Sequence, residues 1–262
     1  DTLSGDAGND LLYGGTGTDT ADYSRFLTGL NSLTGAGTFS PNISDMTISL
    51  ADGTLSGSAS GQGSDILVSI ENVLTGSGND TITGNSAANL LDGGSGADRL
   101  SGGVGNDTLI GGDGNDAIYG GDNSDLAFGG AENDRIDGDA GADTLYGDAG
   151  TDVIYGGAEA DLIYGGTEND TLVGDAGNDT LVGGDGADNM SGGDGDDRFV
   201  VGATSGNDTI AGGESAESTG DTLDASGAAG AVGATLTLTG SEAGTLVTGP
   251  TTVNFTQVEN FV

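Results

Sequence analysis

The chain has 262 residues, of which 42 are acidic and 4 are basic, so its formal charge at pH 7 is -38. This charge excludes a nucleic-acid-binding protein, because Lys and Arg are needed to replace the counterions of the phosphate backbone. It also argues against docking on an anionic membrane surface, and favours a cationic partner. Cysteine and histidine are absent, which excludes a disulfide framework, a Cys/His zinc site and a Ser-His-Asp triad.

Glycine contributes 55 residues, while hydrophobic residues make up 34% of the chain and aromatic residues 5%. So little apolar surface hardly offsets the backbone entropy that is lost on folding. The chain therefore needs another source of folding free energy. No apolar run approaches the roughly 18 residues of a membrane span, so we predict no membrane insertion.

Residues 1–22 form a short repeat tract. Asp1, Asp10 and Asp19 recur at intervals of nine residues, and an apolar residue stands two places after each of them. A fixed period of this kind is typical of repeat architectures.

Residues 23–74 interrupt the period and are predicted to be an inserted β segment. The stretch "MTISLADGTLSG" alternates like two strands joined by the Asp-Gly pair at residues 52–53. The segment closes with "IEN" at residues 70–72, which returns near the carboxyl end as "VEN" at residues 258–260. We interpret both as wider β coils that continue or cap the repeat.

Residues 75–200 carry the main repeat. Of the fourteen positions reached in steps of nine from Asp80 to Asp197, thirteen are Asp, and Asn89 is the exception. An apolar residue stands two places after each of them, as Ile118 does after Asp116. Asp and Asn favour turns for local reasons, but turn preference alone does not enforce Asp in this pattern.

Residues 201–262 are predicted to be a degenerate repeat followed by a carboxyl-terminal β cap. The stretch "GNDTIAGGESAESTGDTLDASG" (206–227) contains loop insertions but keeps Asp208 and Asp221 as candidate ion ligands. The stretches "ATLTLTGSEAGTLVTG" and "VNFTQVENFV" then read as strands.

Among the units that match the nonapeptide G-G-x-G-x-D-x-U-x, in which U is a large apolar residue, at every fixed position are "GGSGADRLS" (93–101), "GGVGNDTLI" (102–110), "GGDGNDAIY" (111–119) and "GGDGADNMS" (183–191). This pattern resembles the RTX (hemolysin-type calcium-binding) repeat family. The resemblance implies an all-β fold, a right-handed parallel β-roll or β-solenoid in which two units make one turn. Each unit would be a six-residue turn followed by a three-residue strand.

In such a roll alternate units stack, so the sixth-place acids form two rows with one strand spacing between neighbours. Two bare carboxylates at about 4.8 Å repel by about 3–4 kcal/mol at an effective dielectric of about 20. Ca²⁺ reverses the sign of this term, because it accepts several oxygen ligands at flexible geometry, whereas Mg²⁺ demands a tight octahedron. Zinc and copper are disfavoured without nitrogen or sulfur ligands. We therefore predict Ca²⁺ as the cofactor, with about a dozen or more ions.

Each bound ion would stabilise the folded state, so calcium binding and folding are expected to be coupled. No catalytic residue is predicted. The predicted calcium ligands are the sixth-place acids Asp1, Asp10, Asp19, Asp80, Asp98, Asp107, Asp116, Asp125, Asp134, Asp143, Asp152, Asp161, Asp170, Asp179, Asp188, Asp197 and Asp208.

Some units depart from the motif. The unit "GNSAANLLD" (84–92) lacks both the fourth-place glycine and the acid, which argues against an ion at Asn89. Other units carry a polar residue in place of the second or fourth glycine. We expect these residues to be solvated surface groups, with a contribution of outer oxygens to the ions as the alternative. They are Asp6, Asn123, Glu132, Asp139, Asp148, Glu159, Glu168 and Asp175.

The first functional hypothesis is a secreted calcium-binding structural module without enzymatic activity. The resemblance implies export by a type I machine of a Gram-negative bacterium, followed by folding outside the cell where calcium is millimolar. Asp1 stands in the middle of a unit, and a roll without a cap presents open strand edges. We therefore expect end-to-end self-association into a surface layer, matrix or filament.

Two alternatives stay open. The chain is the repeat region of a larger secreted enzyme or toxin, in which case the catalytic domain lies outside these residues. Ice binding is the other alternative, but it requires regular ranks of Thr and Asn in the turns. The third and fifth places hold Ser, Val, Asp, Ala, Asn and Thr without order.

Overall fold

The computed structural model of the chain describes residues 1–4, 11–23, 25–28, 38–41, 45–50, 56–60, 64–68, 70–202, 206–213, 220–224, 235–238, 243–248, 251–256 and 260–261. These residues form a parallel β-solenoid of about nine turns, and they contain no helix. The predicted all-β roll is confirmed. Within the described part of the chain, nothing forms a helix that could cross a membrane.

The first of two long sheets has twelve strands, all parallel to their neighbours. In sheet order they are β1 (Thr2–Leu3), β3 (Thr20–Asp22), β9 (Asn72–Leu74), β11 (Leu90–Ser95), β13 (Thr108–Asp113), β15 (Leu126–Ala131), β17 (Thr144–Ala149), β19 (Leu162–Thr167), β21 (Thr180–Asp185), β23 (Arg198–Val200), β25 (Thr222–Asp224) and β29 (Asn260–Phe261).

The second sheet has fifteen strands and takes the alternate units. In sheet order they are β2 (Leu11–Tyr13), β8 (Ser64–Val68), β7 (Ser56–Ser60), β6 (Thr47–Ser49), β10 (Thr81–Thr83), β12 (Arg99–Val104), β14 (Ala117–Asp122), β16 (Arg135–Ala140), β18 (Val153–Ala158), β20 (Thr171–Ala176), β22 (Asn189–Asp194), β24 (Thr209–Ala211), β28 (Thr251–Thr256), β27 (Ala243–Thr248) and β26 (Thr235–Leu238). A separate antiparallel pair joins β4 (Arg25–Thr28) to β5 (Thr38–Pro41).

The core consists of two columns of side chains, one on each sheet, which together form one buried cluster. Each eighth-place residue points inward, and it pairs in register with its counterpart one turn away, as Leu91 does with Leu109 and Ile118 with Ile136. In the main tract these side chains are 0–1% exposed. The members from residue 82 to residue 199 are Ile82, Leu91, Leu100, Leu109, Ile118, Ala127, Ile136, Leu145, Ile154, Ile163, Leu172, Leu181, Met190 and Phe199.

The central strands are longer than the family resemblance implied. In β13, for example, the ladder continues past Ile110 through the glycine pair, and Gly94 pairs with Gly112. From β11 to β22 every strand therefore has six residues, which are places seven to nine of one unit and places one to three of the next. The turn that remains is short, and it carries the sixth-place acid.

Both non-repeat segments return the chain to the stack in register. Ala21 pairs with Val73 across the first insertion, and Leu223 pairs with Phe261 near the carboxyl end. Unlike the predicted wider coils, parts of these segments are antiparallel: β6, β7 and β8 lie between β2 and β10 in the second sheet, and β28, β27 and β26 form its other end. The predicted turn at residues 52–53 lies outside the described residues, and the domain boundaries stay a prediction.

The outer faces of the two sheets carry aromatic side chains at the ninth place. Phe128, Tyr146 and Tyr164 stack along the first sheet, with ring centroids 5.0 Å and 4.7 Å apart. On the second sheet the Arg99 guanidinium lies 4.2 Å from the ring centroid of Tyr119. Because these rings meet only when neighbouring coils stack, tyrosine fluorescence reports on folding of the roll.

Candidate calcium-binding turns

The sixth-place aspartates join consecutive coils through one of their two carboxylate oxygens. The backbone N–H of Asp116 donates to Oδ1 of Asp134 at 2.8 Å, and the N–H of Asp134 donates to Oδ1 of Asp152 at 2.7 Å. The same bond repeats along both rows from residue 80 to residue 221 at 2.7–3.0 Å. Each coil is thus bonded to its successor by a carboxylate.

The second oxygen, Oδ2, is buried and has no hydrogen-bond partner among the described residues. The residues concerned are 0–4% exposed. An uncompensated buried carboxylate oxygen is costly, because its desolvation is not balanced by a donor. This oxygen is found in Asp19, Asp80, Asp98, Asp107, Asp116, Asp125, Asp134, Asp143, Asp152, Asp161, Asp170, Asp179 and Asp188.

The first-place glycine of each unit leaves a cradle beside this oxygen. A Cβ atom placed on Gly111 would stand 2.3 Å from Oδ2 of Asp116 and 2.6 Å from the carbonyl oxygen of Gly129 in the next coil. A Cβ atom on Gly147 would likewise stand 2.4 Å from Oδ2 of Asp152. Two acceptors from successive coils therefore face the same small space, and a side chain at the first place would fill it.

The cradle gives the first-place glycine a different role from the other glycines of the motif. Glycines at the second and fourth places have positive φ, for example 107° at Gly103 and 137° at Gly105, as turn chemistry requires. None of the first-place glycines from residue 93 to residue 192 is among the described residues with positive φ. At the first place glycine is needed for the space that it leaves beside the acid, and its backbone freedom is not used.

The donor set fits a hard cation such as Ca²⁺. The oxygens are carboxylates and backbone carbonyls, which are ordinary calcium ligands. Within the described residues no group of three or more His, Cys, Asp or Glu side chains converges to hold a metal. An ion between two coils would therefore take its carboxylate oxygens from the row aspartates and further oxygens from the glycine-rich backbone.

Burial makes these carboxylates resist ionisation in the absence of a cation. It raises the pKa of Asp134 and of Asp161 to about 8, although the amide hydrogen bond from the preceding coil opposes the shift. Neighbouring row carboxylates raise both pKa values further. The same causes raise the pKa of Asp98, Asp125 and Asp170 to about 7. A divalent ion would supply the positive charge that these rows lack.

Asn89 gives one place in the row a different chemistry. Its Nδ2 donates to the carbonyl oxygen of Glu71 at 2.6 Å, and its Oδ1 accepts from the N–H of Asn85 at 2.9 Å. The side-chain amide of Asn89 thus provides hydrogen-bond partners for backbone groups of this turn without an ion. Whether an ion binds beside Asn89 stays a prediction.

Several predicted ligands stand apart from the regular rows. The α-amino group of Asp1 pairs with Oδ1 of Asp19, and the Asp1 side chain is 79% exposed. Asp10 lies outside the described residues. Asp208 continues one row, since its Oδ1 accepts from the N–H of Asp188 at 3.0 Å. For every predicted ligand, calcium coordination itself stays a prediction.

The structure adds two acids to the rows: Glu71 lies nine residues before Asp80 and so in the phase of the main repeat, whereas Asp221 lies outside that phase. Glu71 occupies a sixth place, because its Oε2 accepts from the N–H of Asp19 at 2.8 Å across the insertion. Asp221 accepts from the N–H of Asp197 at 2.8 Å. The "IEN" at residues 70–72 contained the signal for Glu71, since an apolar residue, Val73, stands two places after the acid.

Comparison with known proteins agrees with this geometry. No curated protein matches the chain. The family model of the RTX calcium-binding nonapeptide repeat matches residues 1–23, 70–100, 92–127, 128–163, 164–199 and 203–216. These segments cover more than half of the chain and contain both rows of stacked aspartates, apart from Asp221. The chain therefore belongs to the family of RTX calcium-binding nonapeptide-repeat proteins.

Proposed function

We propose that this chain is a secreted structural module that folds when it binds calcium outside the cell. The observation that carries the proposal is the pair of rows in which a buried Oδ2 faces a carbonyl oxygen of the next coil, as Asp116 and Gly129 do. Stacking these coils without a cation brings many carboxylates together in a chain of charge -38. The ions would therefore decide whether the roll forms.

Weak sites suit such a switch. Extracellular calcium modules have Kd values of about 10⁻⁴ to 10⁻³ M, and at ten times Kd each site adds about 1.4 kcal/mol to folding. Many weak sites coupled to one roll give a steep transition. The chain would stay unfolded at sub-micromolar calcium, where it is exported, and fold at millimolar calcium.

The test is a calcium titration of the whole chain. Far-UV circular dichroism and tyrosine fluorescence should report a cooperative gain of β structure between about 0.1 and 10 mM calcium, since extracellular sites have Kd values in this range. Magnesium at the same concentrations is the control, and it should produce little structure. Full β structure in excess chelator at neutral pH would refute calcium-driven folding.

End-to-end association is the finer part of the proposal. In the described residues β1 and β29 are the outermost strands of the first sheet, and outer strands offer backbone groups for pairing with another chain. Sedimentation of the calcium-loaded protein should show assemblies that grow with protein concentration. A strictly monomeric protein at high concentration would remove assembly from the proposal and leave calcium-driven folding intact.

We also infer that the chain is not itself a catalyst. The support is chemical: it has no histidine and no cysteine, and its buried acids are bonded into the turns. The alternative, the repeat region of a larger secreted enzyme or toxin, would place the chemistry in other residues. Hydrolytic activity of the isolated calcium-loaded chain toward peptide, ester or glycoside substrates would contradict this inference.

A further inference from the structure

The central coils contain seven non-glycine residues with left-handed backbone. Their φ values lie between 68° and 81°, and all seven belong to consecutive units between residues 120 and 182. Six are acidic. They are Asn123, Glu132, Asp139, Asp148, Glu159, Glu168 and Asp175.

These residues follow a strict pattern. Each of the seven units carries its polar residue at either the second or the fourth place, and keeps glycine at the other. Along a stack of coils the two places alternate: Glu132 is at a fourth place, Asp148 one turn later is at a second place, and Glu168 is again at a fourth place. Two acids therefore never stack at the same place on neighbouring coils, although every unit of the block has a polar residue.

Left-handed backbone is unfavourable for these side chains. A residue with a Cβ atom loses conformational free energy in this region, whereas glycine does not. Asn and Asp tolerate the conformation because their short side chains can bond locally, and Glu lacks this possibility. The glycine above each residue is also constrained: a Cβ atom on Gly150 would stand 1.8 Å from the carbonyl oxygen of Glu132. Strained residues of this kind cluster at sites that hold ligands, so the block calls for a functional explanation.

The added acids lie beside the row aspartates. The negative charge of Glu132 raises the pKa of both Asp116 and Asp134, which stack on each other. The charge of Glu159 acts in the same way on Asp143 and Asp161. Each added acid is exposed, while the row acids are buried, each with an Oδ2 that has no hydrogen-bond partner among the described residues.

Glu168 shows how such a side chain reaches between coils. Its Oε2 accepts a hydrogen bond from the backbone N–H of Gly150, in the preceding coil, at 3.2 Å. Its charge acts on Asp152 and Asp170, the row acids of these same two coils. The side chain therefore lies across the outer side of the gap in which a cation would bind.

We propose that the seven left-handed residues make the block from residue 120 to residue 182 the tightest calcium-binding part of the roll, so that it loads first and nucleates folding in both directions. The inference rests on the proposed calcium-driven folding. The exposed acids add negative charge at the outer side of gaps whose inner oxygens belong to the row aspartates. The alternation between places gives every coil this charge and keeps the added carboxylates from stacking directly on one another.

Replacement of Glu132, Glu159 and Glu168 together by Gly tests the proposal. If these acids attract calcium, the calcium midpoint of folding should shift in the opposite direction to that expected if they are only solvated surface groups. Glycine adopts the left-handed conformation without the energetic cost that Glu has there, and it also removes the negative charge. If the acids attract calcium, the calcium concentration at the midpoint of folding rises at least twofold. If they are only solvated surface groups, relief of the backbone leaves the midpoint unchanged or lowers it, and the proposal is overturned.

The corresponding triple Glu→Gln variant separates charge from backbone. It keeps the unfavourable conformation and loses only the charge, so its midpoint should rise more than that of the triple Gly variant. A matched control is the pair Glu132→Gln and Asp137→Asn, since both remove one charge from the same region and Asp137 lies on an outer sheet face beside Arg135. An equal shift in both would assign the effect to net charge and contradict the proposal.

The place of first loading is measured by hydrogen exchange at sub-saturating calcium. Amides between residues 120 and 182 should gain protection at lower calcium than those of residues 80–118 and 184–200. Protection that begins at one end of the roll, or rises evenly along it, would overturn the nucleation proposal. Wild-type protein that shows no calcium-dependent folding at all would instead refute the proposed function.

Discussion

The carboxylate of Asp134 accepts a hydrogen bond from the backbone N–H of Asp116 at 2.8 Å through Oδ1, while its Oδ2 lies buried without a hydrogen-bond partner among the described residues. The two oxygens therefore have different tasks. Oδ1 bonds the coil to its predecessor and needs no ion. Oδ2 is a hydrogen-bond acceptor that shares a cradle with other acceptors, and it is the atom through which the proposed calcium dependence would act.

Replacement of Asp134 by Asn should separate these tasks. The amide keeps Oδ1 as an acceptor but places an NH₂ donor in the cradle, where the carbonyl oxygen of Gly147 lies nearby. We expect lower calcium stoichiometry in calorimetry and a cation-free roll that is more stable by about 1 kcal/mol, because a buried acceptor gains a donor. Asp137→Asn is the control, and unchanged stoichiometry in Asp134→Asn would contradict this assignment.

The reverse change, Asn89→Asp, should create a site. It removes the donor to the Glu71 carbonyl oxygen and places a carboxylate between Glu71 and Asp107 in the row. In chelator the variant should be less stable than wild type by about 1–3 kcal/mol, the cost of a buried group left without its partner. With calcium it should bind at least one additional ion. A variant that is destabilised to the same extent with and without calcium would show that this place cannot hold an ion.

The cation-free protein should form more β structure as the pH falls. An unfolded Asp has a pKa near 3.8, whereas burial raises the pKa of Asp134 and Asp161 to about 8 in the roll. The folded state therefore binds more protons between these values, so its stability is highest below about pH 4 and is lost as the pH rises toward 8. Circular dichroism in chelator from pH 4 to pH 8 measures this. A roll that gains structure over this range would contradict the argument.

Calcium loading of the cation-free roll near pH 5, where that roll is expected to be folded, should release protons, because bound carboxylates must be ionised. Calorimetric titrations near pH 5 in two buffers of different ionisation enthalpy give the number released. Asp98, Asp125 and Asp170, with pKa values raised by burial to about 7, should contribute. Identical heats in the two buffers would contradict the raised pKa values of these groups.

Replacement of Gly147 and of Gly150 by Ala should have different effects: the first should remove an ion site, and the second should lower the stability of the fold. A Cβ atom on Gly147 would stand 2.4 Å from Oδ2 of Asp152 and 2.5 Å from the carbonyl oxygen of Gly165, so Gly147→Ala should abolish the local ion site. Gly150 has a φ of 142°, and its Cβ atom would stand 1.8 Å from the Glu132 carbonyl oxygen. Gly150→Ala should therefore lower stability by about 3 kcal/mol or more even in saturating calcium.

Gly202→Ala is the control for both, since no atom lies within 4 Å of its Cβ position. Its stability should change by less than about 0.5 kcal/mol. Urea unfolding in saturating calcium measures stability, and calorimetry measures stoichiometry. Full calcium stoichiometry in Gly147→Ala would contradict the cradle.

The nonapeptide motif and the family resemblance that it carries were sufficient to predict the central roll. The stacking of Asp116 on Asp134, the inward column that contains Ile118 and the assignment to two sheets all follow from them, because each side chain has the same environment in every unit. The unusual place of Asn89 was also visible in the sequence. Asn in place of the repeated Asp indicates that the hydrogen-bond partners at this turn differ from those of the other turns.

Other features depend on distances that the sequence does not express. Asp19 stacks on Glu71 only because the insertion returns the chain to the same register, and no local pattern fixes the length of such an excursion. The need for glycine at residue 147 arises from oxygens of residues 152 and 165, which are brought together by stacking. The antiparallel strands β6 to β8 are half-polar and short, so their pairing is set by β2 and β10, between which they lie.

The hydrogen bond from a backbone amide of one coil to the carboxylate of the next forms across different lengths of intervening chain. It spans 18 residues from Asp116 to Asp134, 20 from Asp188 to Asp208 and 24 from Asp197 to Asp221. An amide, an acid and an apolar residue two places on are enough to re-establish it. Gene duplication can therefore lengthen such a protein by whole turns, while new loops are inserted between them, so that size and surface decoration evolve independently of one another.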